Sequence, residues 1–365
     1  MSIKSLLIKH YSLYPKMQIQ DMVKLIYQNE FAGGHMIEDG DESLRRLRDE
    51  LSSLEKIPPD RMMPDHVFEN IGNNLCRLNL AAIKQSGISV ETVNRFFINT
   101  ANSHCGNIRS FEEKLDELRQ CCREGQLPYP LEELEAYLCS YKEKGYPPVS
   151  HSDVYRASYH PAYRIVRSEY GYFYELFCRI DSLMKSRDRV IVAIDGNCAS
   201  GKTTLASLIG GVYDCNIFHM DDFFLTPELR TKERLNEVGG NVDYLRFKQE
   251  VMDGINSGRE FQYRVYDCRQ MAFKQRSVSV IPKKLNIVEG AYSMHPTLID
   301  NYDLKIFMHV DEKEQASRIL KRNGPSMLNR FLNVWIPMEN RYFSELNIRE
   351  KSDLVYGYEV NNRLI

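Results

Sequence analysis

An α/β fold with a parallel sheet and flanking helices, preceded by a mainly α-helical N-terminal domain, is predicted for this chain by three observations. From about Asp188 onward, short apolar runs alternate with helical patterns, which implies parallel strands with helices on both faces. The first half instead carries a series of helix-opening and helix-ending signals. Between 190 and 211, the stretch VIVAIDGNCASGKTTLASLIGG passes from an apolar strand through a loop of little side-chain bulk straight into a helix. The texture changes near Ser186, so domains are expected at 1–186 and 187–365, and 365 residues is long for one domain.

In the first half, Asp41 is a cap for a helix through Leu54, and Ser110-Phe-Glu-Glu113 is a capping box for a helix towards Cys122, with Gly125 beyond it. A third helix is expected over 131–141, before the turn-rich Gly145-Tyr-Pro-Pro148. Residues 161–185 read as one long helix with aromatics on its buried side, and Gly33-Gly34 as a helix-ending turn. In the second half the expected strands are 190–194, 216–220, 261–266, 285–288 and 304–310, with helices over 242–255 and 312–321.

Hydrophobic residues make up 43% of the chain, enough for packed cores, and the net charge of −2 gives no reason to expect nucleic acid or a membrane surface as a partner. No apolar run approaches bilayer length, and the opening MSIKSLLIKHYSLYP lacks a signal-peptide core. Nine scattered cysteines without a C-x-x-C pair read as reduced thiols in the cytoplasm.

Gly196 to Thr203 spells G-N-C-A-S-G-K-T, the phosphate-binding spacing G-x-x-x-x-G-K-[ST]. Glycines let the backbone turn tightly and bring successive N–H groups to an anion. The helix opening near Lys202 adds the positive end of its dipole. ATP is therefore expected on Gly196, Asn197, Cys198, Ala199, Ser200, Gly201, Lys202, Thr203 and Thr204, with Lys202 on the terminal phosphates and the Thr203 hydroxyl on Mg²⁺. An ordinary glycine-rich turn is the alternative, and Lys202 argues against it.

Asp221 and Asp222, in His-Met-Asp-Asp-Phe-Phe, follow the second expected strand and belong on the same rim as the phosphate loop. A carboxylate there can take a proton from an attacking hydroxyl or position Mg²⁺; a helix cap or solvated turn is the bland alternative. Glu289 ends another strand, where it can hold the metal through water, or be a surface charge. Arg318, Lys321 and Arg322 share a helical face that can neutralise a transferring phosphoryl group if the segment folds over the site. Taken alone, such a run is usually a solvated face.

From about 188 to 350 the chain resembles the uridine kinase and phosphoribulokinase family, which includes nicotinamide riboside kinases. The resemblance rests on GNCASGKTT, MDDFF, GGNVDYLRF, VYDCRQ, IVEGAY and RILKRNG in that order. It implies Asp221 as the base acting on a sugar hydroxyl, Asp243 and Tyr266 near a nucleoside, and Arg318 and Arg322 in a lid over ATP. An acidic group at Asp243 can accept two hydrogen bonds from vicinal ribose hydroxyls. The chain departs from the pattern at Met271 and Phe273, where uridine kinases have a histidine and an arginine facing the base, and at Arg322-Asn323, where the lid has arginine-aspartate.

The first half resembles no catalytic family. His35, His104, Cys105, His151 and His160 lie beside polar loop residues, a candidate metal or substrate site without zinc spacing. The expected function is that of a phosphotransferase using ATP and Mg²⁺ to phosphorylate a hydroxyl of a small ribosyl compound, foremost a nucleoside. A kinase for another small alcohol, such as a vitamin or sugar phosphate, and a nucleotide-sensing regulatory protein are the rivals. Self-association is left open.

Overall fold

A computed structural model of the protein describes residues 2–34, 36–54, 66–83 and 86–358. His35 lies outside them. The chain divides into two compact units, the first ending at Asp181 and the second beginning at Ser182. The division falls inside the helix Tyr174–Ser186. Among the described residues, no helix is long and apolar enough to cross a membrane.

The first unit is mainly helical. Ile3–Leu13, Ile19–Phe31, Gly40–Leu54, Val90–Ser103, Ile108–Arg123 and Leu131–Glu143 are its longer helices. Spacing explains the packing: Phe111, Leu115 and Leu118 recur at helical intervals and are buried in one cluster with Leu6, Leu25 and Ile26. The caps differ from the expected ones. Asn107, not Ser110, opens its helix, its side chain accepting the Ser110 N–H at 3.2 Å. The Ser110 hydroxyl is drawn instead to the buried Glu30 carboxylate at 2.8 Å. Likewise Asp39 caps the helix before Asp41, accepting the N–H groups of Asp41 and Glu42.

A three-stranded antiparallel sheet, β1 (Phe68–Gly72), β2 (Leu75–Asn79) and β3 (Tyr163–Arg167), corrects the expectation of one long helix over 161–185. Tyr-Arg-Ile-Val-Arg pairs along β2, with Ile165 opposite Arg77, and the chain turns helical only from Ser168. The helical period came from Tyr170, Leu176, Phe177 and Ile180, all buried, and it masked the β-branched pair before them.

In the second unit come β4 (Val190–Gly196) and β5 (Cys215–His219). Two small antiparallel ribbons follow, β6 (Phe261–Tyr263) with β9 (Val278–Val280) and β7 (Tyr266–Asp267) with β8 (Ala272–Phe273). Then come β10 (Leu285–Glu289), β11 (Leu304–Val310) and β12 (Leu354–Tyr358). Five strands form one wholly parallel sheet in the order β12-β11-β4-β10-β5. The expected strand 261–266 is thus not a sheet member. It splits between the two ribbons, and β12 supplies the outer parallel strand.

All seven residues of β4 are buried, as its β-branched sequence and central place require. The helix Lys202–Gly210 packs on β4, β5 and β10. The chain runs from β4 to β5 on one side of the sheet and from β10 to β11 on the other, so β4 stands where the strand order reverses. In open α/β sheets the crevice for ligands lies at the carboxyl ends there. The helix Glu312–Arg330 continues past the expected end at 321, broken by Gly324 at φ 79° just before Pro325.

Candidate active site

The loop after β4 owes its shape to two glycines. Gly196 has φ 134°, and a Cβ there would stand 2.0 Å from the Met308 carbonyl oxygen of neighbouring β11. Gly201 has φ 102° and begins the following helix, again in a region side chains avoid. The loop folds back so that the Ser200 N–H reaches the Asn197 carbonyl at 3.1 Å. Lys202 is buried, and its Nζ donates to the carbonyls of Gly196 and Asn197 at 2.8 and 2.9 Å. The Ser200 hydroxyl is buried with no hydrogen-bond partner among the described residues. An orphaned donor beside the first turn of the helix Lys202–Gly210, whose N–H groups have no partner within the helix, suits a phosphate oxygen.

Parallel register brings the next groups to the same rim. Glu289 lies opposite Ile194 on β4 and His219 on β5. Its Oε1 accepts the Thr203 hydroxyl at 3.0 Å and stands 2.6 Å from His219 Nδ1. The bond to Glu289 raises the pKa of His219. Two adjacent oxygen donors fit Mg²⁺, which takes one or two protein oxygens and fills its shell with water and substrate phosphates. Among the described residues, no cluster of three or more His, Cys, Asp or Glu side chains is arranged for a metal.

Asp221 lies in the short turn Met220–Phe223 that follows β5. Its side chain reaches solvent, but the protein walls around it push its carboxyl up from the ordinary range. Glu289 adds to that shift, while Lys202, His219 and Arg322 oppose it. Asp243 is joined to this turn, its N–H donating to the Phe223 carbonyl at 2.7 Å. One Asp243 oxygen caps the helix Tyr244–Phe247 through the Arg246 N–H at 3.1 Å. Arg246 in turn holds the Asp222 carbonyl at 3.0 Å and lies over the Phe223 ring at 4.1 Å. Tyr266 is buried beside the Asp221 turn, its hydroxyl donating to Met271 Sδ at 3.8 Å and its ring edge-on to Phe273. Phe273 is thus paired with Tyr266 on one small ribbon, and Met271 lies in the turn before β8.

Of the two arginines expected in a lid, Arg318 reaches the phosphate loop, donating to the Ala199 carbonyl at 3.2 Å. Arg322 is on an exposed face, bonded to Asn323, with its charge felt at Asp221. Sequence reasoning passed over Asp195, Gln315, Glu339 and Tyr342. Asp195 is fully buried and accepts the N–H groups of Gly196, Tyr292 and Met294 and the Tyr342 hydroxyl, at 2.7 to 3.2 Å. A carboxylate inside VIVAIDG was its only signal. Tyr342→Phe removes one of these donors and is expected to cost about 1–3 kcal/mol of stability. A lower thermal midpoint with the secondary-structure signal retained would confirm it.

The second unit is a phosphate-loop α/β fold. No protein-family model matches the chain, and no curated protein matches it by sequence. Among solved structures it is similar to a possible uridine kinase from Bacillus stearothermophilus, with 21% identity over 50% of this chain and 99% of that one and a TM-score of 0.38. It is also similar to D-glycerate 3-kinase from Cryptococcus neoformans, with 17% identity over 41% of this chain and 78% of that one and a TM-score of 0.33. Phosphoribulokinase from Rhodobacter spheroides shows 14% identity over 49% of this chain and 74% of that one, with a TM-score of 0.33.

Among the described residues, the predicted histidines of the first unit do not share one partner set. His104 Nε2 lies 2.8 Å from the Glu30 carbonyl. His151 sits between Asp21 and the Tyr163 hydroxyl, at 2.9 and 2.6 Å, and burial lowers its pKa to about 4. His160 ends the helix Asp153–Tyr159 in a left-handed conformation.

Proposed function

We propose that the second unit is an ATP- and Mg²⁺-dependent kinase acting on a hydroxyl of a small ribosyl compound, foremost a nucleoside. One observation carries the reading: the phosphate loop with Lys202, the Thr203–Glu289 oxygen pair and the solvent-reaching Asp221 stand on one rim of one parallel sheet. Lys202, the Ser200 hydroxyl and the N–H groups of the first turn of the helix Lys202–Gly210 bind the phosphates of ATP, and Thr203 and Glu289 hold Mg²⁺, which supplies charge neutralisation when bound. Asp221 orients the acceptor hydroxyl and takes its proton as the oxygen attacks the terminal phosphoryl group and ADP leaves. Arg318 and Arg322 belong to the segment that excludes water over the nucleotide. Asp243 and Tyr266 face the acceptor; one Asp243 oxygen caps its helix, and the other, 3.5 Å from Arg246 Nε, is shared between that arginine and the ribose hydroxyls. Nine unpaired cysteines support a reducing, cytoplasmic setting. The mainly helical domain expected at 1–186, whose compact unit ends at Asp181, is assigned no part in the phosphoryl transfer.

The test is a screen of ribosyl compounds and other small alcohols for acceptor-dependent ATP consumption, with product masses measured. Phosphorylation of a ribonucleoside supports the assignment; ATP hydrolysis unaffected by every acceptor would overturn it in favour of a nucleotide sensor. Because Met271 and Phe273 offer no charged contact to a base, a 2′-deoxy analogue is expected to lose about ten- to a hundredfold, more than a swap between bases of similar size. Equal rates on ribo- and deoxyribonucleosides would remove Asp243 from the acceptor site.

A further inference from the structure

The outer turn of the phosphate loop is held from outside the loop. Ala199 has φ 60°, a left-handed conformation that a non-glycine residue does not adopt unaided. Around it, both backbone polar groups of Cys198 are taken by side chains. The Cys198 N–H donates to Glu339 Oε2 at 2.8 Å, and Gln315 Nε2 donates to the Cys198 carbonyl at 3.0 Å and lies 3.1 Å from its sulfur. Arg318 takes the Ala199 carbonyl at 3.2 Å. Glu339 and Gln315 are both buried.

These contacts come in two pairs. Gln315 and Arg318 are three residues apart on the helix Glu312–Arg330, and Glu339 and Tyr342 are three apart on the helix Ile336–Glu345. Residues at that spacing share a helix face. Tyr342 reaches Asp195, which takes the Gly196 N–H, so the second helix grips the loop at its start and at its outer turn. Arg322 stands one turn beyond Arg318 on the first helix, just before its break at Gly324, and the second helix begins after that break. The grip takes both backbone polar groups of Cys198 and leaves the buried Ser200 hydroxyl without a partner among the described residues.

We propose that Glu339 is a positioning residue for the nucleotide: by accepting the Cys198 N–H it holds the strained outer turn of the phosphate loop in its ATP-binding shape and ties that shape to the helix Ile336–Glu345. The proposal rests on the ATP reading above. Its essential property is the acceptor oxygen, which a glutamine retains and an alanine does not.

The experiment is calorimetric titration of the full-length protein, wild type and variants, with Mg·ATP, alongside thermal unfolding of each. Glu339→Ala is expected to weaken ATP binding about tenfold, the scale for losing one hydrogen bond to a charged group, and Glu339→Gln to recover most of that loss. An E339A protein that binds ATP like the wild type, or an E339Q protein as impaired as E339A, overturns the proposal. If E339A does not fold, Gln315→Ala removes the other side of the clamp and is expected to weaken binding severalfold; wild-type affinity in that variant overturns the proposal. A wild-type chain that binds no Mg·ATP overturns the kinase reading itself and the clamp with it, whereas wild-type binding with unaffected variants overturns the clamp alone.

Discussion

Lys202→Ala is expected to abolish measurable turnover. The loss should lie at or beyond the upper end of the roughly 10²–10³ seen when one donor to developing charge is removed. The ammonium is the point charge that the loop offers to terminal phosphates. The structure adds a second cost. Lys202 is buried and donates to the Gly196 and Asn197 carbonyls, so alanine also releases two bonds that hold the loop closed. ATP affinity should therefore fall along with turnover. Steady-state kinetics together with ATP titration check both effects, and near-normal activity would sink the phosphate-loop reading.

Asp221→Asn tests the chemistry rather than the binding. The amide keeps the shape and loses the proton acceptor, so turnover is expected to drop by roughly 10²–10⁴ with ATP affinity little changed. The pH profile gives a second readout. Crowding by protein raises the Asp221 pKa, and a base works only when deprotonated. Wild-type turnover should therefore decline as pH falls through that raised value, and the variant should lack this acidic limb. A collapse of ATP affinity in the variant would instead make Asp221 a structural or metal-holding group.

What could be read along the chain was local. The G-x-x-x-x-G-K-T spacing, the apolar run before it and the helix after it are contiguous, and 190–211 folds as that order requires. Asp221 and Glu289 were legible because each directly follows or ends an apolar strand-like run, which places it on the carboxyl rim of a parallel sheet. The pattern at 261–266 misled, since a short apolar run does not reveal which sheet it joins. The run at 161–185 misled because aromatic spacing after Tyr170 outweighed Ile165 and Val166, whose strand exists through pairing with distant β2.

Contacts distant in sequence carried no local signature. The Cys198 peptide is held by Gln315 and Glu339, and Asp195 is met by Tyr292, Met294 and Tyr342, all about a hundred or more residues away. Neither Glu339 nor Tyr342 stands in a motif, and each looks like one more residue of an amphipathic helix. By itself the sequence determined a phosphate loop on a buried parallel strand and the carboxylates on its rim, because spacing and strand ends act over a few residues. Only the tertiary structure decided which side chains hold that loop in shape and which strand completes the sheet, because those choices depend on surfaces that meet only once the chain has folded.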